Sequence, residues 1–162
     1  MSKKDQKKAE TEREIFKRFA RAMSWHCESE LIESLEPPEP DILFSGLEHL
    51  VAFELAEICA SDIAQQVAKL KAKGGVSVIW TSDPTEEILL SKLGKNYLSN
   101  HPVELLCYMN DRVISPDSQV IERIAMTLKA NTKVDFRRIW YFGEKQIFEF
   151  SPSGELVTTT QH

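Results

Sequence analysis

Residues 40–58 read PDILFSGLEHLVAFELAEI, two apolar runs on either side of a short polar stretch that contains Gly46. Both runs are rich in β-prone side chains, so the stretch predicts two antiparallel strands joined by a turn. The second run places Glu54 among apolar neighbours. Burying a carboxylate costs free energy unless a proton, a cationic side chain or a metal ion compensates its charge. The simplest compensation for Glu54 is a cation shared with Asp41.

The register of this hairpin decides whether the two acids meet. If Ser45 pairs with Leu50, Asp41 falls directly opposite Glu54. Directly opposed residues share one face of the sheet, with Cβ atoms roughly 4.5–5.5 Å apart. Two carboxylates at that distance raise one another's pKa and favour a divalent cation between them. A slip of one residue would send the two side chains to opposite faces of the sheet.

These residues resemble the PD-(D/E)XK nuclease superfamily, in which an Asp and an acidic residue on adjacent strands bind magnesium and a Lys completes the site. The resemblance covers residues 41–108 and implies a restriction-endonuclease-like α/β fold, a mixed central sheet flanked by helices. It also implies a nuclease that hydrolyses phosphodiester bonds of nucleic acid, DNA in preference to RNA. Asp41 and Glu54 would then be the metal ligands, and Mg²⁺ or Mn²⁺ the cofactor.

Two positions depart from the pattern of the superfamily. Its Lys lies two residues after the acid, but Ala56 occupies that position here, and the strand ends in Glu57. Members of the superfamily relocate the Lys to a nearby helix, and Lys92 in the run EEILLSKL offers this alternative. The resemblance therefore implies a catalytic role for Lys92. Glu57 either joins the site, if the strand bulges, or is a surface acid at the strand end.

Two further side chains are candidates for supporting roles. Residues 9–23 predict a helix whose apolar stripe is extended by Glu12, and in the superfamily an acid from the first helix often approaches the metal. An ordinary first-turn Glu that interacts with the helix dipole is the favoured explanation of Glu12. Residues 62–73 predict a helix with Gln66 on its polar face, where the side chain would orient water or phosphate. A solvated helix face accounts for the same pattern.

The length of 162 residues and a hydrophobic fraction of 42% fit one globular domain over residues 1–162. Within it, residues 1–8 are expected to be a disordered basic start, and residues 24–35 to hold a short strand or none. Strands alternating with helices predict a sheet that is parallel where helices cross over and antiparallel at hairpins. The remaining predicted elements are strands at 76–81 and 103–109, helices at 83–97 and 116–129, and a hairpin of 136–142 with 146–150.

The net charge of −5 opposes binding to a polyanion, because Lys and Arg make most contacts with phosphate backbones. Its distribution is uneven: residues 1–21 carry eight Lys and Arg against four acids, a local balance of +4, which leaves −9 for the remainder. A solubilising frayed end explains the basic start as well as a nucleic-acid arm does. No apolar stretch approaches a membrane span of about 18 residues, so we expect a soluble, cytoplasmic protein that does not bind membranes.

Other chemistries find less support in the sequence. The four His show no paired helical spacing, and the three Cys are too far apart for a zinc site, so Cys27, Cys59 and Cys107 are expected to be reduced thiols, two of them in the core. A non-catalytic protein of the same fold, with a binding or regulatory role, is the alternative function. A homodimer is also open, as is a homo-oligomeric scaffold that uses the aromatic strands at 140–142 and 147–148 as an edge interface.

Overall fold

The computed structural model describes residues 2–58, 84–109 and 116–162. Its elements in chain order are α1 (Lys3–Ala22), a 3₁₀ turn (Ser29–Leu31), β1 (Ile32–Ser34), β2 (Ile42–Phe44), β3 (Val51–Glu57), α2 (Thr85–Leu93), β4 (Val103–Tyr108), α3 (Asp117–Ala130), β5 (Ile139–Phe142), β6 (Gln146–Phe150) and β7 (Leu156–Gln161). The helix expected at 62–73, with Gln66, and the strand expected at 76–81 lie outside the described residues, as does Cys59.

The strands form one seven-stranded sheet in which their spatial order follows their order in the chain. β1, β2 and β3 pair antiparallel, β3, β4 and β5 pair parallel, and β5, β6 and β7 pair antiparallel. The parallel pair β4–β5 is joined through α3, as expected for a helical crossover. The predicted α/β class and the mixed central sheet flanked by helices are therefore confirmed.

The helices cover both faces of the sheet. Phe16 and Phe19 of α1 pack against the first face, with ring centroids 4.8 Å from Phe53 and 5.5 Å from Trp140, respectively. The second face is covered by α2 and α3. Its apolar cluster includes the buried residues Leu89, Val120, Ile124, Leu105, Cys107 and Tyr141. Side chains alternate between these two clusters along β3, β4 and β5, as the period of two in a strand requires.

The predicted hairpin register is confirmed. Ile42 pairs with Phe53 and Phe44 with Val51, which is the offset expected from a pairing of Ser45 with Leu50. Continuing this offset by one residue places Asp41 opposite Glu54. β3 extends beyond its last partner in β2, so residues 54–57 have a strand neighbour on the β4 side only. Asp41 therefore lies just before the first residue of β2, opposite the part of β3 that has no partner in β2.

The basic start is helical, which corrects the expectation of a disordered segment at residues 1–8. α1 begins at Lys3 because the Ser2 hydroxyl accepts a hydrogen bond from the Asp5 backbone N–H at 3.1 Å, capping the helix. Lys, Gln, Ala and Glu then continue it as good helix formers. Glu12 consequently lies in the middle of a 20-residue helix, too far from the first turn to act through the helix dipole.

The C-terminal strands correct the scaffold hypothesis. The sequence predicted the β5–β6 hairpin but missed β7, which pairs with β6 after a turn at Gly154 with φ of 90°. β5 and β6 are therefore interior strands, and Trp140, Tyr141 and Phe148 are buried in the core. These aromatic side chains cannot serve as an edge interface. None of the helices in the described ranges is both long and apolar enough to cross a membrane.

Candidate functional site

The centre of the site is the pair Asp41 and Glu54. Asp41 follows Pro40 at the start of β2, and its Oδ2 accepts a hydrogen bond from the Leu55 backbone N–H at 2.9 Å. This bond satisfies a backbone donor of β3 that has no partner in β2, and it holds the Asp41 carboxylate against the strand that carries Glu54. Glu54 is 5% exposed. The structure therefore brings together the two acids that the sequence predicted to face each other.

Lys92 completes the predicted trio. It lies in the last turn of α2, and its Nζ is 2.6 Å from Oε2 of Glu54. The lysine side chain is 17% exposed, so the ion pair is largely shielded from water but open on one side. Because α2 covers the second face of the sheet, a lysine from this helix reaches the acidic strand without occupying position 56.

Glu12 adds a third carboxylate from the opposite helix. It is 6% exposed, and its Oε1 lies 3.7 Å from Nζ of Lys8, which is itself exposed to solvent. Glu12 also interacts with Asp41, and a hydrogen bond between two carboxyl groups requires a proton on one of them. Glu12, a supporting candidate from the sequence, therefore meets Asp41 at the start of β2, between α1 and β3.

The three carboxylates lie in surroundings that raise the pKa of each. Burial is the largest effect on Asp41 and raises its pKa, and the charge of Glu12 raises it further. The hydrogen bond from the Leu55 N–H lowers this pKa but does not cancel the rise. Burial also raises the pKa of Glu54, to which the charge of Asp41 adds, while Lys92 lowers it. For Glu12, burial raises the pKa and the bond with Asp41 partly offsets this. The positive charge near these three groups is therefore too small to offset their burial.

Another buried acid shows what full compensation looks like in this protein. Glu104 of β4 is 1% exposed, but it accepts hydrogen bonds from Arg137 Nε at 2.9 Å and from Trp140 Nε1 at 2.7 Å. A guanidinium and an indole N–H satisfy both of its oxygens, as a structural buried acid requires. At the site, two lysines, Lys92 and the exposed Lys8, face three carboxyl groups. The group therefore has a deficit of positive charge that Glu104 does not have.

The acids of the site do not form a closed metal cage. Within residues 2–58, 84–109 and 116–162, no group of three or more His, Cys, Asp or Glu side chains is arranged to enclose a metal ion. Mg²⁺ usually keeps several waters and is held by only one or two carboxylates together with substrate phosphates. Asp41 and Glu54 provide such a pair of oxygen ligands, so the residues present fit Mg²⁺ or Mn²⁺.

The other predicted site residues are placed differently. β3 keeps a continuous register with β4 through Glu57, so the bulge that would turn Glu57 towards Glu54 is not present in this strand. Glu57 lies instead beside Tyr108 and lines a cavity together with Glu12 and Lys92. Gln66 falls outside the described residues. Glu57 therefore borders the site, although it does not share a strand face with Glu54.

Tyr97 is a neighbour of the site that the sequence did not reveal. Tyr97 falls within the helix predicted for residues 83–97, but α2 ends at Leu93 and Gly94 caps it. The Tyr97 hydroxyl donates a hydrogen bond to the Lys92 carbonyl at 3.5 Å. Burial raises the pKa of this phenol, and the charge of Glu54 raises it further. No local sequence pattern places Tyr97 beside Lys92, because their contact depends on the path of the chain after Gly94.

Comparison with known proteins gives little guidance on function. Neither a family model nor a curated protein matches the chain. Among solved structures, the chain is similar to a protein of unknown function from Pseudomonas aeruginosa strain PAO1 that is described as belonging to the monooxygenase superfamily. The two are 18% identical, with 96% of this chain and 83% of that chain covered and a TM-score of 0.44.

This finding corrects the family expected from residues 40–58. The solved structure is described as a monooxygenase-superfamily protein and not as a PD-(D/E)XK nuclease, so the family assignment made from the sequence is wrong. Two facing acids and a lysine are a short pattern, and unrelated folds present the same chemical grouping. The grouping itself is present in the folded protein and does not depend on membership of a family.

Proposed function

We propose that this protein is a metal-dependent hydrolase that cleaves phosphodiester bonds of nucleic acid. The observation that carries the proposal is the deficit of positive charge at Glu12, Asp41 and Glu54, which Lys92 and the exposed Lys8 do not balance. A divalent cation removes this deficit, and a substrate phosphate would bring further oxygen ligands to it. Beyond the α/β class and the mixed sheet, the more specific resemblance of the sheet to that of restriction endonucleases stays a prediction. It implies no family membership.

Each residue has a defined task in this proposal. Asp41 and Glu54 would hold Mg²⁺ or Mn²⁺, and a backbone carbonyl of Ala56 or Glu57 would be a further oxygen ligand. The cation, when bound, supplies charge stabilisation to the phosphoryl group and lowers the pKa of water. Lys92 donates to a non-bridging phosphate oxygen, where negative charge develops. Glu12 accepts a proton from water on the side of Asp41 that faces α1. A raised pKa suits Glu12 to this role, because a general base works best when its pKa lies near the working pH.

The proposal extends to substrate and setting as the sequence suggested them. DNA is preferred to RNA, the protein acts in the cytoplasm, and a homodimer would allow two cuts. A non-catalytic binding or regulatory protein is the second candidate. It is favoured by the 2.6 Å contact between Lys92 and Glu54 and by the bond from Leu55 to Asp41, because both acids already have a partner within the protein.

Metal binding separates these two functions through thermal stability. A ligand present at ten times its Kd stabilises the folded state by about 1.4 kcal/mol, which corresponds to a rise in Tm of roughly 3–6 °C for a domain of this size. We expect that rise with MnCl₂ or MgCl₂, and less than about 1 °C with NaCl of equal ionic strength. Glu48→Gln, which changes an exposed acid of the same hairpin, should keep the full shift. An unchanged Tm in the wild-type protein would favour the non-catalytic function.

Metal affinity should fall at low pH. Carboxylates must lose their protons to bind a metal, and the raised pKa values of Asp41 and Glu54 keep protons bound to a higher pH than in ordinary acids. Protons therefore compete with Mn²⁺ at mildly acidic pH. We expect Mn²⁺ to bind at least about 10-fold more weakly at about pH 5.5 than at about pH 8, with proton release on binding. Calorimetric titration in two buffers of different ionisation enthalpy measures both quantities, and a pH-independent Kd would contradict the assignment.

A further inference from the structure

A groove lies beside α1, formed by two cavities that meet at Tyr108. The first has a volume of about 480 Å³ and is lined by Lys4, Lys7, Glu12 and Lys92, among others. The second has a volume of about 460 Å³ and is lined by Arg18, Arg21 and Phe142, among others. Because Tyr108 lines both, the two cavities adjoin at the carboxyl end of β4. The groove thus starts beside Glu12 and Lys92 and continues towards the end of α1, whereas Asp41 lines a separate cavity.

The charge of this groove is opposite to that of the whole chain. Its two cavities are lined by six Lys and Arg, namely Lys4, Lys7, Lys8, Lys92, Arg18 and Arg21, against the acids Glu12, Glu57 and Glu144. The chain as a whole carries −5. Apart from Lys92, these cations recur at helical spacing on one face of α1 and are exposed to solvent, and the exposed Glu14 lies on the same face. A polyanion is therefore attracted to this groove and repelled from most of the remaining surface.

The second cavity also offers apolar and aromatic surface. Phe142 and Tyr108 line it together with Met109, and the His162 ring lies 4.9 Å from the ring of Phe142. Single-stranded nucleic acid binds to grooves that combine cations along the backbone with rings on which bases stack. Bases of a duplex are already stacked and paired, so they do not enter such a cavity. From Lys4 to Arg21, α1 is about 26 Å long, enough for several nucleotides.

We propose that the groove beside α1 binds a single strand of nucleic acid, with its phosphates along Lys4, Lys7, Arg18 and Arg21 and an unpaired base in the cavity lined by Phe142. This inference rests on the proposed hydrolase function, because it names the substrate that the site would receive. At the start of the groove the strand passes Lys92 and Glu12, the two residues of the site that line it. The acidic remainder of the surface discourages a duplex, which carries two phosphate backbones.

Binding in EDTA tests this inference apart from hydrolysis. The full-length protein is titrated against a fluorescent thymidine oligonucleotide of about 20 nucleotides and against a duplex of the same length, with anisotropy as the readout. We expect the single strand to bind at least about 10-fold more tightly than the duplex. A triple variant, Lys7→Gln with Arg18→Gln and Arg21→Gln, should weaken single-strand binding at least about 10-fold and make the slope of log K against log salt shallower by about 2.

The control variant removes the same charge elsewhere. Lys129, Lys133 and Lys145 are exposed and lie outside the groove, so their replacement by Gln should change the affinity less than about 3-fold. Equal losses in the two triple variants, or equal binding of single strand and duplex, would overturn the inference. If binding depends on the groove but no cleavage occurs with Mn²⁺, only the proposed hydrolase function fails. If cleavage occurs and the groove variant binds normally, only this inference fails.

Discussion

Replacing Asp41 by asparagine or Glu54 by glutamine is expected to reduce phosphodiester cleavage in Mn²⁺ by at least about 100-fold, the range seen when a group that stabilises the transition state is removed. Each change removes one anionic oxygen ligand while keeping the shape of the side chain. In Asp41→Asn, the amide oxygen of the new side chain would still accept the hydrogen bond from the Leu55 N–H, so the hairpin is expected to remain folded. The measurement is the initial rate of cleavage of a labelled oligonucleotide, with circular dichroism to confirm folding.

Matched controls decide whether a loss of rate reflects the site. Glu48→Gln removes an exposed acid from the turn of the same hairpin, and it should cleave at a rate close to that of the wild type. The two site variants should also lose the rise in Tm caused by Mn²⁺. If a folded Glu54→Gln protein cleaves as fast as its parent, Glu54 has no role in hydrolysis, and its burial must have a purely structural explanation.

Replacing Lys92 by methionine should separate catalysis from metal binding. We expect a loss of about 100-fold in the rate of cleavage, because the developing phosphate charge loses its donor. Metal affinity should stay the same or increase, since Lys92 no longer competes for Glu54 Oε2 at 2.6 Å. The measurements are the cleavage rate and the Kd of Mn²⁺ by calorimetry. Exposed Lys95, which follows the end of α2, provides the control Lys95→Met and should leave both quantities unchanged.

The stability of Lys92→Met gives an independent readout. Without the lysine, Glu54 loses the group that lowers its pKa, so its pKa in the folded state rises further above the unfolded value. A carboxyl group with a raised folded pKa contributes stability below its unfolded pKa, and this stability is lost as pH rises towards the folded pKa. The variant should therefore unfold more easily than the wild type at pH 8 and differ less from it at pH 5. An identical pH dependence would show that Lys92 and Glu54 are not coupled.

The hairpin could be predicted from sequence because its signals are local. Residues 42–44 and 51–55 alternate between two faces with a period of two, and the turn at Gly46 leaves few registers that keep both runs buried. The facing positions of Asp41 and Glu54 follow from that register alone. β1 was expected to be short or missing for the same local reason, and it has three residues.

The contacts between elements could be anticipated only in part. Lys92 was a candidate because it is a lysine on a predicted helix, but its contact with Glu54 spans 38 residues and depends on how α2 packs on the sheet. Glu104 shows the same limit. Its place in an apolar strand indicates that it needs a partner, yet nothing local to it identifies Arg137 or Trp140, which lie 33 and 36 residues away.

The start of α1 and the strand β7 were missed for different reasons. A Lys-rich start is typical of frayed ends, and the Ser2 cap that orders it is a single weak signal. β7 is exposed along nearly its whole length, so it lacks the alternation of apolar and polar residues that identifies a half-buried strand. Its Thr-rich sequence is held by pairing with β6, a tertiary contact.

The anchoring of Asp41 by the Leu55 backbone has an implication for sequence variation in this protein. Every amino acid except proline carries the N–H that holds the acid, so the side chain at position 55 can change with its apolar surroundings under α1 while the carboxylate stays in place. Substitutions of the Leu55 side chain can therefore occur without loss of the hydrogen bond that holds Asp41, because that bond uses only the backbone. Leu55→Pro is the one exchange at this position that removes the anchor.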